Sequence, residues 1–191
     1  MMMSNALIVV DVQNDFVTGT LAVPGSEDLA ERISNLIATD QYDHVLATMD
    51  WHIDPGEHWS DTPDFKDSWP KHCEARTWGA ELAEPLREAD FDQVFYKGRY
   101  SAEYSGFDGI AIQGHGGADI FDYYMWYGIT HIDIVGLALD HCVRMTALDA
   151  IELPITPEVR VLTQYTRAAD PIAGANTLEE LASAGIIIKN H

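Results

Sequence analysis

Short apolar runs, rich in β-branched residues, alternate along the chain with stretches whose apolar positions recur at helical spacing. The runs cover residues 6–10, 44–48, 93–96, 131–135, 160–162 and 185–188. The first, fourth and sixth are nearly continuous in apolar residues. That pattern suits parallel strands covered on both faces, where alternation disappears. Between them, Leu29, Ile33, Leu36 and Ile37 fall on one face of a helix predicted over 27–39, and Val143, Ala147, Leu148 and Ile151 do so over 142–152. Asn176 is placed to cap a last helix through Leu178 and Leu181 that stops at Gly185. The repeated β-α order predicts an α/β fold: an open, mainly parallel six-stranded sheet with helices on both faces and right-handed crossovers. With no repeat or low-complexity linker, one domain over 1–191 is expected, a length that can bury one sizeable core.

Two segments break this rhythm. Residues 50–78 follow neither a helical nor a strand period, and are rich in Trp, His, Pro, Asp and Gly. A loop of that length inside a compact domain is usually functional or disordered. Trp51, Trp59 and Trp69 argue for order, because aromatic residues favour burial. Around Tyr123–Tyr127 the sequence suggests a helix with an aromatic face; core packing is its simpler reading and a homo-oligomer contact its sharper one.

Charge narrows the range of partners. The formal net charge is −20, and lysine occurs only at positions 66, 71, 97 and 189. A polyanion would be repelled, so nucleic acid is excluded as a partner. The acidic residues are scattered, as on a solvated surface, and their abundance also suggests adaptation to high salt. No run approaches the roughly 18 apolar residues of a membrane span, and the start of the chain lacks the anatomy of a signal peptide. Two cysteines, Cys73 and Cys142, form no disulfide framework. A cytoplasmic protein without membrane contact is expected.

The chemistry gathers at predicted strand ends, where open α/β sheets bind ligands. Asp11 follows the first strand, Asp50 and His52 the second, Lys97 the third, and Cys142 lies shortly past the fourth. A lone cysteine is most simply a small buried hydrophobe, Asp11 a turn residue and Lys97 a solvated lysine. Their convergence gives the set its weight. A thiol with an ordinary pKa of about 8.5 needs a base or cation beside it, and a helix N-terminus also favours the thiolate. Asp11 suits the base, Lys97 the stabilising cation and Cys142 the nucleophile. In the irregular loop, Asp50 and His52 share one side of an extended segment, with His58 and His72 farther along. One carboxylate and three imidazoles suit a divalent ion such as zinc, iron or manganese. His44, His115, His131 and His191 have no comparable partners.

The segments Ile8-Val9-Val10-Asp11-Val12-Gln13-Asn14-Asp15-Phe16, Thr48-Met49-Asp50-Trp51-His52 with His58, Trp69-Pro70-Lys71-His72-Cys73, Phe95-Tyr96-Lys97-Gly98, Tyr104-Ser105-Gly106-Phe107 and Gly136-Leu137-Ala138-Leu139-Asp140-His141-Cys142-Val143 occur in this order. Together they resemble the nicotinamidase/pyrazinamidase branch of the isochorismatase-like cysteine hydrolases. The resemblance implies a Rossmann-like three-layer sandwich that hydrolyses nicotinamide, and pyrazinamide, through a cysteine thioester. It implies Asp11, Lys97 and Cys142 as catalytic triad, and Asp50, His52, His58 and His72 as metal ligands. A cis Leu137–Ala138 bond and an oxyanion hole from the N–H groups of Ala138 and Cys142 are further implied. Phe16, Trp69 and Tyr104 would wall an aromatic slot, bordered by Leu137 and His141. A related cysteine hydrolase acting on another carboxamide or an N-carbamoyl compound is the alternative, and the metal loop separates the two. Isochorismatase chemistry on a vinyl ether uses no nucleophilic cysteine, and an inactive scaffold would not need the triad.

Overall fold

The computed structural model describes residues 4–155 and 157–190; His191 lies outside them. Its centre is β1 (Ser4–Val10), fully buried from Ala6 onward. In chain order follow α1 (Asn14–Val17), α2 (Leu29–Ile37), β2 (His44–Asp50), β3 (Gln93–Lys97), β4 (Ile110–Ala111), α3 (Ile120–Tyr127), β5 (Ile129–Leu137), α4 (Arg144–Ile151), β6 (Glu158–Arg167), α5 (Pro171–Ser183) and β7 (Ile187–Lys189). The described strands form one sheet in the order β4-β3-β2-β1-β5-β6-β7, parallel except for β4. The unbroken apolar run of β1 has the expected cause. Ala6, Ile8 and Val10 enter a core with residues of α3, α4 and α5, while Leu7 and Val9 enter a second core with α2.

Three expectations need correction. The sheet has seven strands instead of six, because β4 is a two-residue antiparallel edge strand too short to leave a periodic signal. The last helix starts at Pro171 instead of near Asn176. The Asp170 carboxylate accepts from the Ile172 and Ala173 N–H groups at 2.8 Å, and proline suits the first helical position. Cys142 does not open α4; it sits in a π-helical turn, Leu139–Val143, that precedes it. The aromatic segment is α3, capped by Asp119 and stopped by left-handed Gly128. Tyr123 and Tyr124 join the core, whereas Met125, Trp126 and Tyr127 are exposed.

The strand order fixes where a site can form. From β1 the chain proceeds outward through β2, β3 and β4, then crosses to the other side of β1 and proceeds through β5, β6 and β7. The order therefore reverses between β1 and β5, and a crevice opens beyond the carboxyl ends of those strands. Asp11 follows one of them and Ala138 the other.

Candidate active site

Sheet register assembles the first cluster. Asp50 and Lys97 are paired across the parallel β2–β3 ladder, and Val10 pairs with Thr48. Asp11 turns out of β1 in the left-handed region (φ 49°), which Asp tolerates better than most residues, and its N–H donates to the Thr48 carbonyl at 3.1 Å. Lys97 Nζ ion-pairs with Asp11 Oδ2 at 2.9 Å and forms a short bond to Asp50 Oδ1. It also lies 3.5 Å from Cys142 Sγ. The sulfur and one oxygen of each carboxylate lie within 4.8 Å of one another. The Thr48 hydroxyl donates to Asp11 Oδ1 at 2.6 Å. Asp11 Oδ2 is buried beside Lys97, and the carboxylate lies within reach of the Cys142 thiol, the group whose proton it would take.

Burial sets the charges of this group. Lys97 and Asp11 are fully buried, and Cys142 nearly so. Burial alone lowers the Lys97 pKa, but Asp11 and Asp50 outweigh it and hold the ammonium well above its ordinary value. Burial raises the Asp11 carboxyl and the nearby Asp50 anion adds to this, against Lys97 and the Thr48 hydroxyl. Burial also pushes the Cys142 thiol well up, and its acidic neighbours add to the effect against Lys97. The resting cysteine is therefore a thiol. Proton transfer from Cys142 to Asp11 moves a negative charge within the cluster without adding one, which favours a step in a desolvated site.

The second cluster is built from the irregular 51–92 connection. His52, His58 and His72 are all buried, with one ligand-capable nitrogen from each within 4.8 Å of the others. Tautomers follow from carbonyl partners, since a carbonyl only accepts. His52 Nδ1 meets the Gly98 carbonyl at 2.5 Å, and His72 Nδ1 meets the Pro70 carbonyl at 2.7 Å. Both Nδ1 atoms therefore carry hydrogen, and the two Nε2 lone pairs face each other at 3.2 Å. His58 Nδ1 is buried without a hydrogen-bond partner among the described residues. Asp50 Oδ2 stands 3.7 Å from His52 Nε2, at the edge of the same space.

Converging lone pairs with a carboxylate beside them are the donor set of a borderline divalent cation. The orienting carbonyls are the partners such ligands use. Burial pushes His58 down to about 4 and also lowers His72, so both imidazoles are unprotonated at neutral pH and free to coordinate. Burial raises the Asp50 carboxyl, but the Lys97 ammonium outweighs it and keeps it ionised. Gly98 is required here. Its φ is +66°, and a Cβ would lie 2.6 Å from His52 Cε1.

A cavity of about 340 Å³ joins the clusters. Phe16, Trp69, Tyr104, Ala138, His141 and Cys142 border it, together with Asp50, His58 and His72. Trp69 Nε1 donates to the Tyr104 hydroxyl at 3.0 Å, and the Trp69 ring meets His141 edge-on at 5.3 Å. The Leu137–Ala138 peptide is cis, as expected. Leu137 itself is a correction: as the last residue of β5 it alternates onto the α2 face and is buried in that core, away from the cavity. Thr20–Pro24, Phe65, Glu103 and Ala169 line the cavity and escaped sequence reasoning. Phe65 could have been found from its place in the tryptophan-rich loop, whereas Ala169 carries no chemical signal. Gln13 was also missed. Its buried side chain clamps both backbone groups of Asp50 at 2.8 Å and reaches the Ala80 carbonyl.

The chain belongs to the isochorismatase family, whose domain matches residues 5–188. It is 43% identical to the nicotinamidase/pyrazinamidase of Mycobacterium tuberculosis, over 95% of this chain and 96% of that one. Among solved structures, the pyrazinamidase of Pyrococcus horikoshii in complex with zinc superposes with a TM-score of 0.80 at 31% identity, covering 98% of this chain and 99% of the other. PnC1 from L. infantum in complex with nicotinate superposes at 0.81 with 29% identity, covering 97% and 92%.

Proposed function

We propose that this protein is a nicotinamidase that hydrolyses nicotinamide to nicotinate and ammonia through a thioester on Cys142, and that it also accepts pyrazinamide. The observation that carries the chemistry is the buried contact set of Asp11, Lys97 and Cys142 below an aromatic-walled cavity. The substrate is supported by likeness to the mycobacterial nicotinamidase/pyrazinamidase across nearly the whole chain.

Asp11 accepts the thiol proton as the Cys142 sulfur attacks the carboxamide carbon. Lys97 stays protonated and balances the negative charge, wherever within the cluster it sits. The N–H groups of Ala138 and Cys142 stabilise the tetrahedral oxyanion, a contribution of about 3–4 kcal/mol per donor in comparable sites. Protonated Asp11 then gives its proton to the departing nitrogen, and ammonia leaves a nicotinoyl thioester. Asp11 next takes a proton from water as the water attacks the thioester, and returns it to the sulfur as the C–S bond breaks; the thiol is restored and the nicotinic acid released ionises to nicotinate.

Phe16, Trp69 and Tyr104 hold the ring, and His141 borders it. Asp50, His52, His58 and His72 fit a divalent cation of the zinc, iron or manganese type. Such an ion would supply a Lewis-acid anchor for the ring nitrogen. The test is release of ammonia and nicotinate in equal amounts from nicotinamide by the metal-loaded protein. A protein that binds metal and leaves nicotinamide and pyrazinamide intact would refute the substrate.

A further inference from the structure

Asp15 belongs to the opening motif, yet no step above uses it. It sits in the first turn of α1 and is buried. Its two carboxylate oxygens serve different parts of the site. Oδ2 accepts the Cys73 N–H at 2.7 Å, and Oδ1 accepts the Thr20 N–H at 3.1 Å.

Cys73 follows His72 directly, and its backbone is left-handed (φ 44°), a conformation that a non-glycine residue holds only when its surroundings enforce it. The Cys73 carbonyl accepts the His52 N–H at 3.0 Å, and the His52 carbonyl accepts the Ala75 N–H at 2.8 Å. Cys73, gripped by Asp15, is thus the point where the segment just past β2 that carries His52 meets the stretch carrying His72. Thr20 opens the 20–24 segment that walls the cavity, and the residue after Asp15 is Phe16, whose ring lies 5.7 Å from that of His72.

Two glycines keep room for this carboxylate. A Cβ on Gly79 would lie 2.1 Å from Asp15 Oδ2, and one on Gly19 would lie 2.3 Å from Oδ1. Neither distance can be accommodated unless the carboxylate moves.

We propose that Asp15 is a positioning residue that sets both the spacing of the metal-ligating histidines and the wall of the substrate cavity. This rests on the metal and amidase reading above. It predicts a separation that general destabilisation would not produce. Asp11, Lys97 and Cys142 are held by the strands and the turn after β5, so the loss of Asp15 spares the chemical step and impairs metal retention and substrate fit.

The test is Asp15→Asn, which keeps the volume but turns an NH2 toward one of the two N–H groups. Zinc affinity is measured by competition with a chromophoric chelator, and kcat and KM for nicotinamide are measured on zinc-saturated enzyme. Zinc affinity is expected to fall by about 10–100-fold, the range seen when partners that orient metal ligands are removed. KM should rise several-fold, with kcat close to wild type. Gly79→Ala, which keeps the Asp15 carboxylate but displaces it, should change zinc affinity and KM in the same direction, and it carries the test if Asp15→Asn does not fold. Folded variants with wild-type zinc affinity and KM would overturn the inference. So would a lowered melting midpoint of the apo-protein with zinc affinity unchanged. If the wild type binds no zinc, the metal reading itself fails, a result distinct from wild-type binding that the variants leave unaltered.

Discussion

Asp11, Asp50 and Lys97 stand at the ends of adjacent parallel strands, and the ladder that pairs Asp50 with Lys97 also sets their separation. His58 and His72, by contrast, stand on a connection with little regular structure. They reach the same cavity through isolated bridges and turns: Trp59 with Trp69, His52 with Glu74, and the side chains of Gln13 and Asp15. The strand-borne cluster is rigid because disturbing it would disturb the core on both faces of the sheet. The loop-borne cluster depends on a few long-range bonds, and a bound cation would tie its ligands together. Reaction and ligand retention are therefore separable properties, and mutations should divide them.

The largest effect is expected at the strand-borne half. Cys142→Ala should lower kcat on nicotinamide by a factor on the order of 10⁴ or more, as removal of a nucleophile does elsewhere. Zinc affinity, measured with the same chelator, should stay at the wild-type level, because Cys142 serves the other cluster. Loss of zinc together with activity in this variant would mean that the two halves are not separable.

Next comes the loop-borne half. His72→Ala should weaken zinc binding by more than the about 10–100-fold that changes in orienting partners cause, since it removes a ligand outright. The apo-protein's melting midpoint should move little, because His72 stands on the irregular connection and contributes to no strand or helix. A large drop in that midpoint would make the loop a structural element of the fold.

A subtler change acts inside the strand-borne cluster. The Thr48 hydroxyl favours the ionised Asp11 carboxylate, so Thr48→Val should raise the Asp11 pKa beyond its already elevated value. Proton acceptance from Cys142 requires ionised Asp11. Activity should therefore be lost at a higher pH on the acid side of the kcat/KM profile than in the wild type. A profile that shifts the other way, or not at all, would remove Asp11 from the role of base.

The same contrast explains what the sequence made legible. Strand-borne residues could be read because a parallel buried strand announces itself as an apolar run, and its end marks the crevice. Asp11, Lys97 and Cys142 were picked out as candidates that way, on a sheet whose inner strands also matched, and the rest of the Gly136–Val143 segment came from the resemblance. The loop-borne ligands could be named as chemical types, but nothing in their spacing fixes how the chain folds back on itself. Asp15 and Gln13 went unassigned for that reason, since their partners lie 58 and 37–67 residues away. Leu137 was placed at the slot by the resemblance, and its neighbour Ala138 does border the cavity, whereas strand alternation sends the Leu137 side chain to the core. The cap of α5 was missed because Asp170 and Pro171 stand outside the apolar periodicity that marked the helix.

The smallest effect expected is one that both regions share. The net charge of −20 repels itself in the folded chain, and salt screens that repulsion. The melting midpoint should rise between dilute buffer and molar KCl, for wild type and His72→Ala alike. A midpoint that does not rise would remove the reading of high-salt adaptation and leave an ordinary solvated surface.

The central claim is that Cys142 carries the acyl group. It is tested most directly by rapid acid quenching during turnover of nicotinamide, followed by peptide mass spectrometry. The account predicts a mass gain of one nicotinoyl group on the peptide containing Cys142, removed by hydroxylamine and absent from Cys142→Ala. Turnover that persists in Cys142→Ala, with no acylated cysteine in the wild type, would contradict it.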